Sequence, residues 1–229
     1  MCGRFAFFSS HEAMLRVFDL PPQTPVVAPR WNIAPTQSVA AVRADASGLR
    51  RLSMLHWGLL PSWARERRLA ARLFNARAET VAVKPAFRSA WKQRRCLVLA
   101  DGYYEWQSTG GGKRPWFIRR ADREPFGLAG LWETWVEAPG ATPLESCTIL
   151  TTAAPAPLAR IHERVPVVIP TTAFASWLAP QAADLASLAA LLVAPPPDSL
   201  VAYRVGRAVN NARHDGPELV ESIANVNAD

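Results

Sequence analysis

The stretch "MCGRFAFF" at the start of the chain puts a cysteine directly after the initiator methionine. With Met1 removed, Cys2 carries a free α-amine and a thiol on adjacent carbons, a pair that no internal cysteine has. Reference pKa values of about 7.7–8.0 for the amine and about 8.5 for the thiol leave both partly nucleophilic near neutral pH. Such a 1,2-aminothiol can act as an N-terminal nucleophile with its own amine as base. It can also condense with an aldehyde, the amine forming an imine and the thiolate then closing a five-membered thiazolidine. The closure is intramolecular, a setting in which effective molarities reach on the order of 10⁵ M or more. A small second residue without chemical purpose is the other reading, and the rest of the chain must decide.

Other polar segments interrupt the apolar runs. Arg4 stands beside Cys2 in "CGRF". In "RWNIAPTQ" a tryptophan, an amide and Pro35 meet in a loop. "FNARAET" sets Asn75, Arg77 and Glu79 at alternate positions, which point to one side if the segment is extended. In "LADGYYEW" Glu105 lies among Tyr103, Tyr104 and Trp106 at the end of an apolar strand. A carboxyl there tends toward a raised pKa, which suits a general acid near neutral pH; a carboxylate paired to an arginine is the alternative. "ARIHERVPVVI" carries His162 and Arg164 just before another apolar run. Histidine is suited to moving protons near pH 7, and it also caps and packs. No GxGxxG, P-loop, HExxH, CxxC pair or GxSxG occurs, so nucleotide cofactors, a zinc site and a serine triad lack support.

These residues need a scaffold, and the sequence predicts mostly strands: 38–43, 51–58, 95–106, 115–120, 126–134, 147–154 and 165–169. All are short, rich in β-branched and aromatic residues, and bounded by Gly, Pro or Asp. "STGGGKRP" reads as a hairpin loop. Helices are expected in "SSHEAMLRVFDL", capped by Ser9 with Glu12, and in "KPAFRSAWKQ", "TTAFASWLA" and "AADLASLAALLV". Strands interspersed with helices, without β-α-β alternation, argue for one α+β domain around a strongly curved, barrel-like mixed or antiparallel sheet. The domain is expected to span 1–221, with 222–229 as a tail.

The 229 residues, 49% hydrophobic with nine Trp and nine Phe, are enough for a sizeable core. Cys2, Cys96 and Cys147 are too scattered for a disulfide framework, and Cys96 and Cys147 read as small buried thiols. No run approaches the ~18 apolar residues of a membrane span, and the start lacks a signal-peptide pattern. A reducing cytoplasm is expected. A net charge of +7 favours a polyanionic partner.

Taken together, "MCGRF", "WNIAPTQ", "HWGLLPSW", "FNARAET", "CLVLADGYYEW", "PWFI", "AGLWE", "ILTTAA", "IHERVPVVI" and "VNNARHDGPELVE" resemble the SOS-response-associated peptidase (SRAP) family, from residue 1 to about 221. The resemblance implies loss of Met1, binding of single-stranded DNA, and a stable thiazolidine between Cys2 and the ring-opened aldehyde of an abasic site. It implies that Asn75 holds the Cys2 amine and sugar hydroxyl, that Glu105 is the acid/base of sugar opening and imine formation, and that His162 is its partner. Arg4, Arg77 and Arg164 resemble phosphate clamps, while Pro35, Trp106 and Thr151 line the base and sugar pocket. Trp63 is either a wedge at a single-strand/double-strand junction or a packing residue. The resemblance also implies crosslink reversal and self-removal of Met1, a step that a cellular aminopeptidase would equally perform on so small a second residue. No cofactor, metal or membrane is expected, and the protein is expected to be a monomer in the cytoplasm, nucleoid-associated in a bacterium or nuclear in a eukaryote. Two rivals stand beside it. An N-terminal-nucleophile amidotransferase also begins Met-Cys-Gly, but its Asn-Gly and Gly-Asp signatures are not found. A basic single-strand-binding domain explains the charge, but not Asn75, Glu105 and His162 beside Cys2.

Overall fold

The computed structural model describes residues 2–180 and 184–223. Met1, residues 182–183 of the last expected helix and residues 224–229 of the expected tail lie outside them. The described residues form thirteen strands: β1 Phe5–Phe7, β2 Arg30–Ile33, β3 Ser38–Ala44, β4 Arg50–Trp57, β5 Asn75–Arg77, β6 Arg95–Ala100, β7 Gly102–Thr109, β8 Gly112–Arg120, β9 Phe126–Trp135, β10 Leu144–Ala153, β11 Arg164–Pro166, β12 Val168–Ile169 and β13 Leu200–Arg204. The described helices are short, His11–Phe18 being the longest α-helix at eight residues.

Five strands close on themselves. β4 pairs with β3, β3 with β6, β6 with β9 and β9 with β10, all antiparallel. A parallel pairing of Ser146 and Cys147 with His56 and Trp57 joins β10 back to β4 and completes a barrel. Closure removes the free edges that an open sheet of these strands would expose. The expectation of one α+β domain with a barrel-like sheet is met. A second sheet, ordered β13-β8-β7-β1-β2, lies beside the barrel. The main core, with Phe5, Trp57, Leu97, Leu128, Ile149 and Trp177, includes the barrel side of β7. A smaller cluster of Ala6, Tyr104, Phe117, Val205, Val209 and Leu219 covers the other side.

Several expectations change at the level of single residues. The expected strand 95–106 is two strands in two sheets. It breaks at Asp101, whose buried carboxylate accepts from Phe8 N at 2.5 Å, Ser9 N at 2.7 Å and the Ser9 hydroxyl. The run 165–169 likewise divides, β11 pairing with β10 and β12 with β9. The helix cap is Ser10, whose side chain accepts from Ala13 N at 3.2 Å, because Ser9 is occupied by Asp101. "FNARAET" is extended only through Arg77; a 3₁₀ turn over Ala78–Thr80 takes Glu79 off that face. Ser222 bridges to Val205, and Ile223 N donates to Arg204 O at 3.0 Å, so the chain stays tied to the fold just past the expected boundary.

Gly102 is where the chain leaves the barrel for the second sheet, and close approach demands glycine there. A Cβ would stand 2.2 Å from Phe117 Cζ and 2.8 Å from Ile118 O. Gly102→Ala should therefore destabilise by about 3 kcal/mol. Urea unfolding checks this, and a change under about 0.5 kcal/mol would show that the two sheets are not held so closely there.

Candidate functional site

Strand β1 pairs antiparallel with β7, Phe5 opposite Tyr103, and Tyr104 N donates to Arg4 O at 2.9 Å. Continuing that register toward the chain start sets Gly3 opposite Glu105 and brings Cys2 to the same place. Alternation along β7 turns Tyr103 and Glu105 toward the main core and Tyr104 and Trp106 toward the smaller cluster. Both Cys2 and Glu105 are buried. Beside them a cleft of about 340 Å³ is lined by Glu105, Trp106, Lys113, His162 and Asn210.

Burial sets the proton affinities here. Loss of water raises the Glu105 carboxyl from 4.5 to about 7, although the positive chain terminus and Lys113 pull it down. The aromatic neighbours of Glu105 in sequence predict that direction. Burial also pushes the Cys2 thiol far above its ordinary value, with the Glu105 charge adding to the effect. This corrects the expectation of a partly ionised thiol near neutral pH, because the sulfur is removed from water. His162 is lowered from 6.5, chiefly by burial and then by the positive chain terminus. Its Nδ1 lies 3.0 Å from Arg164 N and 3.2 Å from Arg164 O, so the Arg164 backbone can serve the ring as donor or as acceptor according to its tautomer.

A second group of side chains runs along β10. β5 pairs with it in parallel, Asn75 opposite Ile149 and Arg77 opposite Thr151, while β11 pairs on its other side with Thr151 opposite Pro166. The Asn75 amide nitrogen donates to Phe74 O at 3.0 Å and Ile149 O at 3.4 Å. Its buried Oδ1 has no hydrogen-bond donor among the described residues. The amide therefore presents an acceptor and withholds its donors. Arg164 makes a two-pronged ion pair with Glu79, 2.7 and 2.9 Å, and donates to Thr151 O. Arg77 is exposed. Thr151 is fully buried.

Arg4 is anchored by its own fold. It donates to Asn32 Oδ1 and to Val209 O, each at 2.7 Å, and its guanidinium lies 5.8 Å from the Trp106 ring centroid. Trp106 Nε1 donates to Asn210 Oδ1 at 2.8 Å. Pro35 occupies the turn between β2 and β3, next to the strand whose Asn32 holds Arg4. Trp63 is 59% exposed, on a loop away from these contacts in sequence. Lys113 and Asn210 in the cleft were not singled out by sequence reasoning. They come from a hairpin tip and a 3₁₀ turn that carry no motif pointing at Glu105, and only the folded chain joins them.

The Glu105 shift has a stability consequence with a definite sign. A carboxyl whose folded pKa of about 7 exceeds the ordinary 4.5 binds its proton more tightly when folded. Its contribution is complete below about pH 4.5 and is lost as pH rises through about 7. Compared with Glu105→Gln, the native protein should lose on the order of 3 kcal/mol between pH 4.5 and pH 8. Paired urea titrations of the two proteins test this, and a difference constant with pH would mean that Glu105 is solvated.

Residues 1–212 match the family model described as SOS response associated peptidase (SRAP). The chain is 36% identical over 225 residues to Abasic site processing protein YoqW of Bacillus subtilis (strain 168), covering 97% of this chain and 100% of the relative. It is 32% identical to Abasic site processing protein YedK of Escherichia coli (strain K12), over 97% and 100% respectively. Abasic site processing protein HMCES of Gallus gallus is 32% identical over 80% of this chain and 61% of its own. An X-ray crystal structure of a protein from Bacteroides thetaiotaomicron shares the fold, with TM-score 0.86 at 21% identity, covering 97% of this chain and 100% of that one. One from Bordetella bronchiseptica gives 0.75 at 31% identity, over 90% and 100%. By its match to the family model over residues 1–212 and its identity to these relatives, the chain belongs to the SOS response associated peptidase family.

Proposed function

We propose that this protein captures abasic sites in single-stranded DNA by forming a thiazolidine crosslink through Cys2 once Met1 is removed. The observation that carries the reading is the burial of Cys2 against Glu105, a carboxyl held near pH 7. That the relatives are named abasic site processing proteins supports the choice of substrate.

The chemistry follows from the groups present. The protonated Glu105 gives its proton to the sugar ring oxygen as the C1′–O4′ bond opens and takes up the proton of the C1′ hydroxyl, which leaves an aldehyde at C1′ and Glu105 protonated again. The Cys2 amine adds to C1′, with Asn75 Oδ1 accepting one of its N–H bonds and orienting its lone pair. Protonation of the resulting hydroxyl by Glu105 expels water and gives the imine. The sulfur then adds to the imine carbon, its proton passing to nitrogen, and closes the ring. Aldehyde and aminothiol become thiazolidine and one water. His162, neutral at pH 7, takes and returns protons at the freed sugar hydroxyl. Because the thiol stays protonated in its dry site, the amine reacts first and sulfur second. The same groups suit self-removal of Met1 and slow reversal of the crosslink, with water re-entering at C1′. The protein acts as a monomer in the cytoplasm, where a free thiol persists.

DNA is held by charge and by stacking. Trp106 offers a ring fixed by Asn210 and Arg4, suited to a base without regard to its identity. Arg77, exposed on β5, meets the backbone; Arg77→Ala should weaken binding across sequences and reduce the salt slope by about one. Fluorescence anisotropy at several salt concentrations tests this, and an unchanged slope would return Arg77 to a role in the fold.

The covalent step has its own test on protein whose intact mass shows loss of Met1. Native protein with single-stranded DNA carrying one abasic site should give an adduct that survives heat and SDS. Cys2→Ser keeps the amine and should give only an imine, detectable after borohydride reduction. A heat-stable adduct from Cys2→Ser at the native rate would assign the linkage to some other nucleophile.

A further inference from the structure

Tyr103 is fully buried and packed in the main core with Cys2. Its hydroxyl nevertheless makes no hydrogen bond among the described residues. Phenylalanine would fill the same space without stranding a polar group, so packing gives no reason for the oxygen. The next residue is treated differently: the Tyr104 hydroxyl donates to Trp31 O at 2.7 Å. Alternation along β7 puts Tyr103 on the face of Glu105, and its partner across the ladder is Phe5, three residues from Cys2. After burial itself, the charges of Cys2 and Glu105 are what oppose ionisation of Tyr103. A buried, unsatisfied donor thus stands among the groups that must carry negative charge during the reaction.

The geometry points to Tyr103 as a further catalytic residue, whose hydroxyl donates a hydrogen bond to the Cys2 sulfur while the thiazolidine ring closes. This assignment rests on the crosslinking reaction proposed above. In that step a C–S bond forms between Sγ and the imine carbon, the C=N π pair moves onto nitrogen, and the thiol proton follows it. Tyr103 keeps its own proton, and nothing is oxidised or reduced. A neutral donor suits the position. It stabilises the transient thiolate in a dry site without protonating it, and it leaves no fixed positive charge to discourage the amine from reacting. Sugar opening and imine formation do not involve sulfur, so they do not need the hydroxyl.

Tyr103→Phe and Tyr104→Phe are compared with native protein on single-stranded DNA carrying one abasic site. Affinity, borohydride-trapped imine and heat-stable adduct are followed in time, alongside thermal unfolding. Tyr103→Phe should unfold at or above the native temperature, bind as tightly, and form imine at the native rate. Its ring closure should slow about 10- to 100-fold, as expected for a lost hydrogen bond to a charged group, so trapped imine accumulates. Tyr104→Phe should unfold at a lower temperature and close the ring at the native rate. Native-rate closure in Tyr103→Phe, equal slowing of imine and adduct, or a large loss of its stability would each overturn the assignment while leaving the reaction standing. A native protein that forms no stable adduct would overturn the reaction and the assignment together.

Discussion

A single buried carboxylate decides where the chemistry can occur. Asp101 ends β6, and its oxygens collect the N–H groups of Phe8 and Ser9 and the Ser9 hydroxyl, while its own N–H donates to Ala6 O at 2.8 Å. These contacts join residues about ninety positions apart and hold β1 against β7. They are strong because the acceptor is charged and shielded from water. Burial raises the Asp101 pKa, and the hydrogen bonds from Ser9 and Phe8 oppose that rise. If this junction did not form, Cys2 would trail from a short strand with no fixed relation to Glu105. Gly102 completes the constraint, since only a residue without a side chain lets β7 start so near Phe117.

Once β1 is docked, one physical condition serves two groups in opposite ways. Withdrawal from water favours the neutral form of any acid, so it brings Glu105 into the range where it can both give and take a proton. It also holds the Cys2 thiol neutral. In bulk water the thiol would be the readier nucleophile at slightly alkaline pH, open to oxidation and to stray electrophiles. Under the reading proposed above, it stays latent in the buried site until an imine, itself prone to take up a proton, draws it in. The low polarity that makes Glu105 useful is thus the same property that delays the sulfur.

Much of this could be read from the chain, for identifiable reasons. Runs such as 51–58 and 126–134 are rich in apolar and aromatic residues and bounded by Gly or Pro, which marks them as strands, and the lack of regular β-α-β order marks the class. The break at Asp101 is illegible because the apolar pattern continues through it, and only contacts from Phe8 and Ser9 give it meaning. Strands β1, β2, β5 and β13 run for three to five residues, too few to display a period. In the site, the aromatic neighbours of Glu105 announce its raised pKa. Burial of Cys2 is set by strands far away in sequence, so its protonation state could not be read. Tyr103 looked like part of the Glu105 surroundings; its stranded hydroxyl is visible only when every neighbour is in place.

The arginines show how a net charge of +7 misleads about where a polyanion would sit. Alternation in "FNARAET" groups Glu79 with Arg77, whereas the 3₁₀ turn that follows β5 hands Glu79 to Arg164. Arg4 likewise spends its donors on Asn32 and the Val209 carbonyl, and thereby steadies the Trp106 ring. These two arginines arrive at the site already committed: any phosphate drawn to Arg164 must share it with Glu79, and one drawn to Arg4 meets a guanidinium with part of its fork in use. Arg77 and Lys113 stand exposed beside them. The division has a physical logic. A flexible, fully hydrated cation gains from phosphate mainly by releasing counterions, whereas a fixed one defines direction and distance. Under the reading proposed above, exposed charges would attract the strand, and anchored ones would set its register against Glu105 and Cys2.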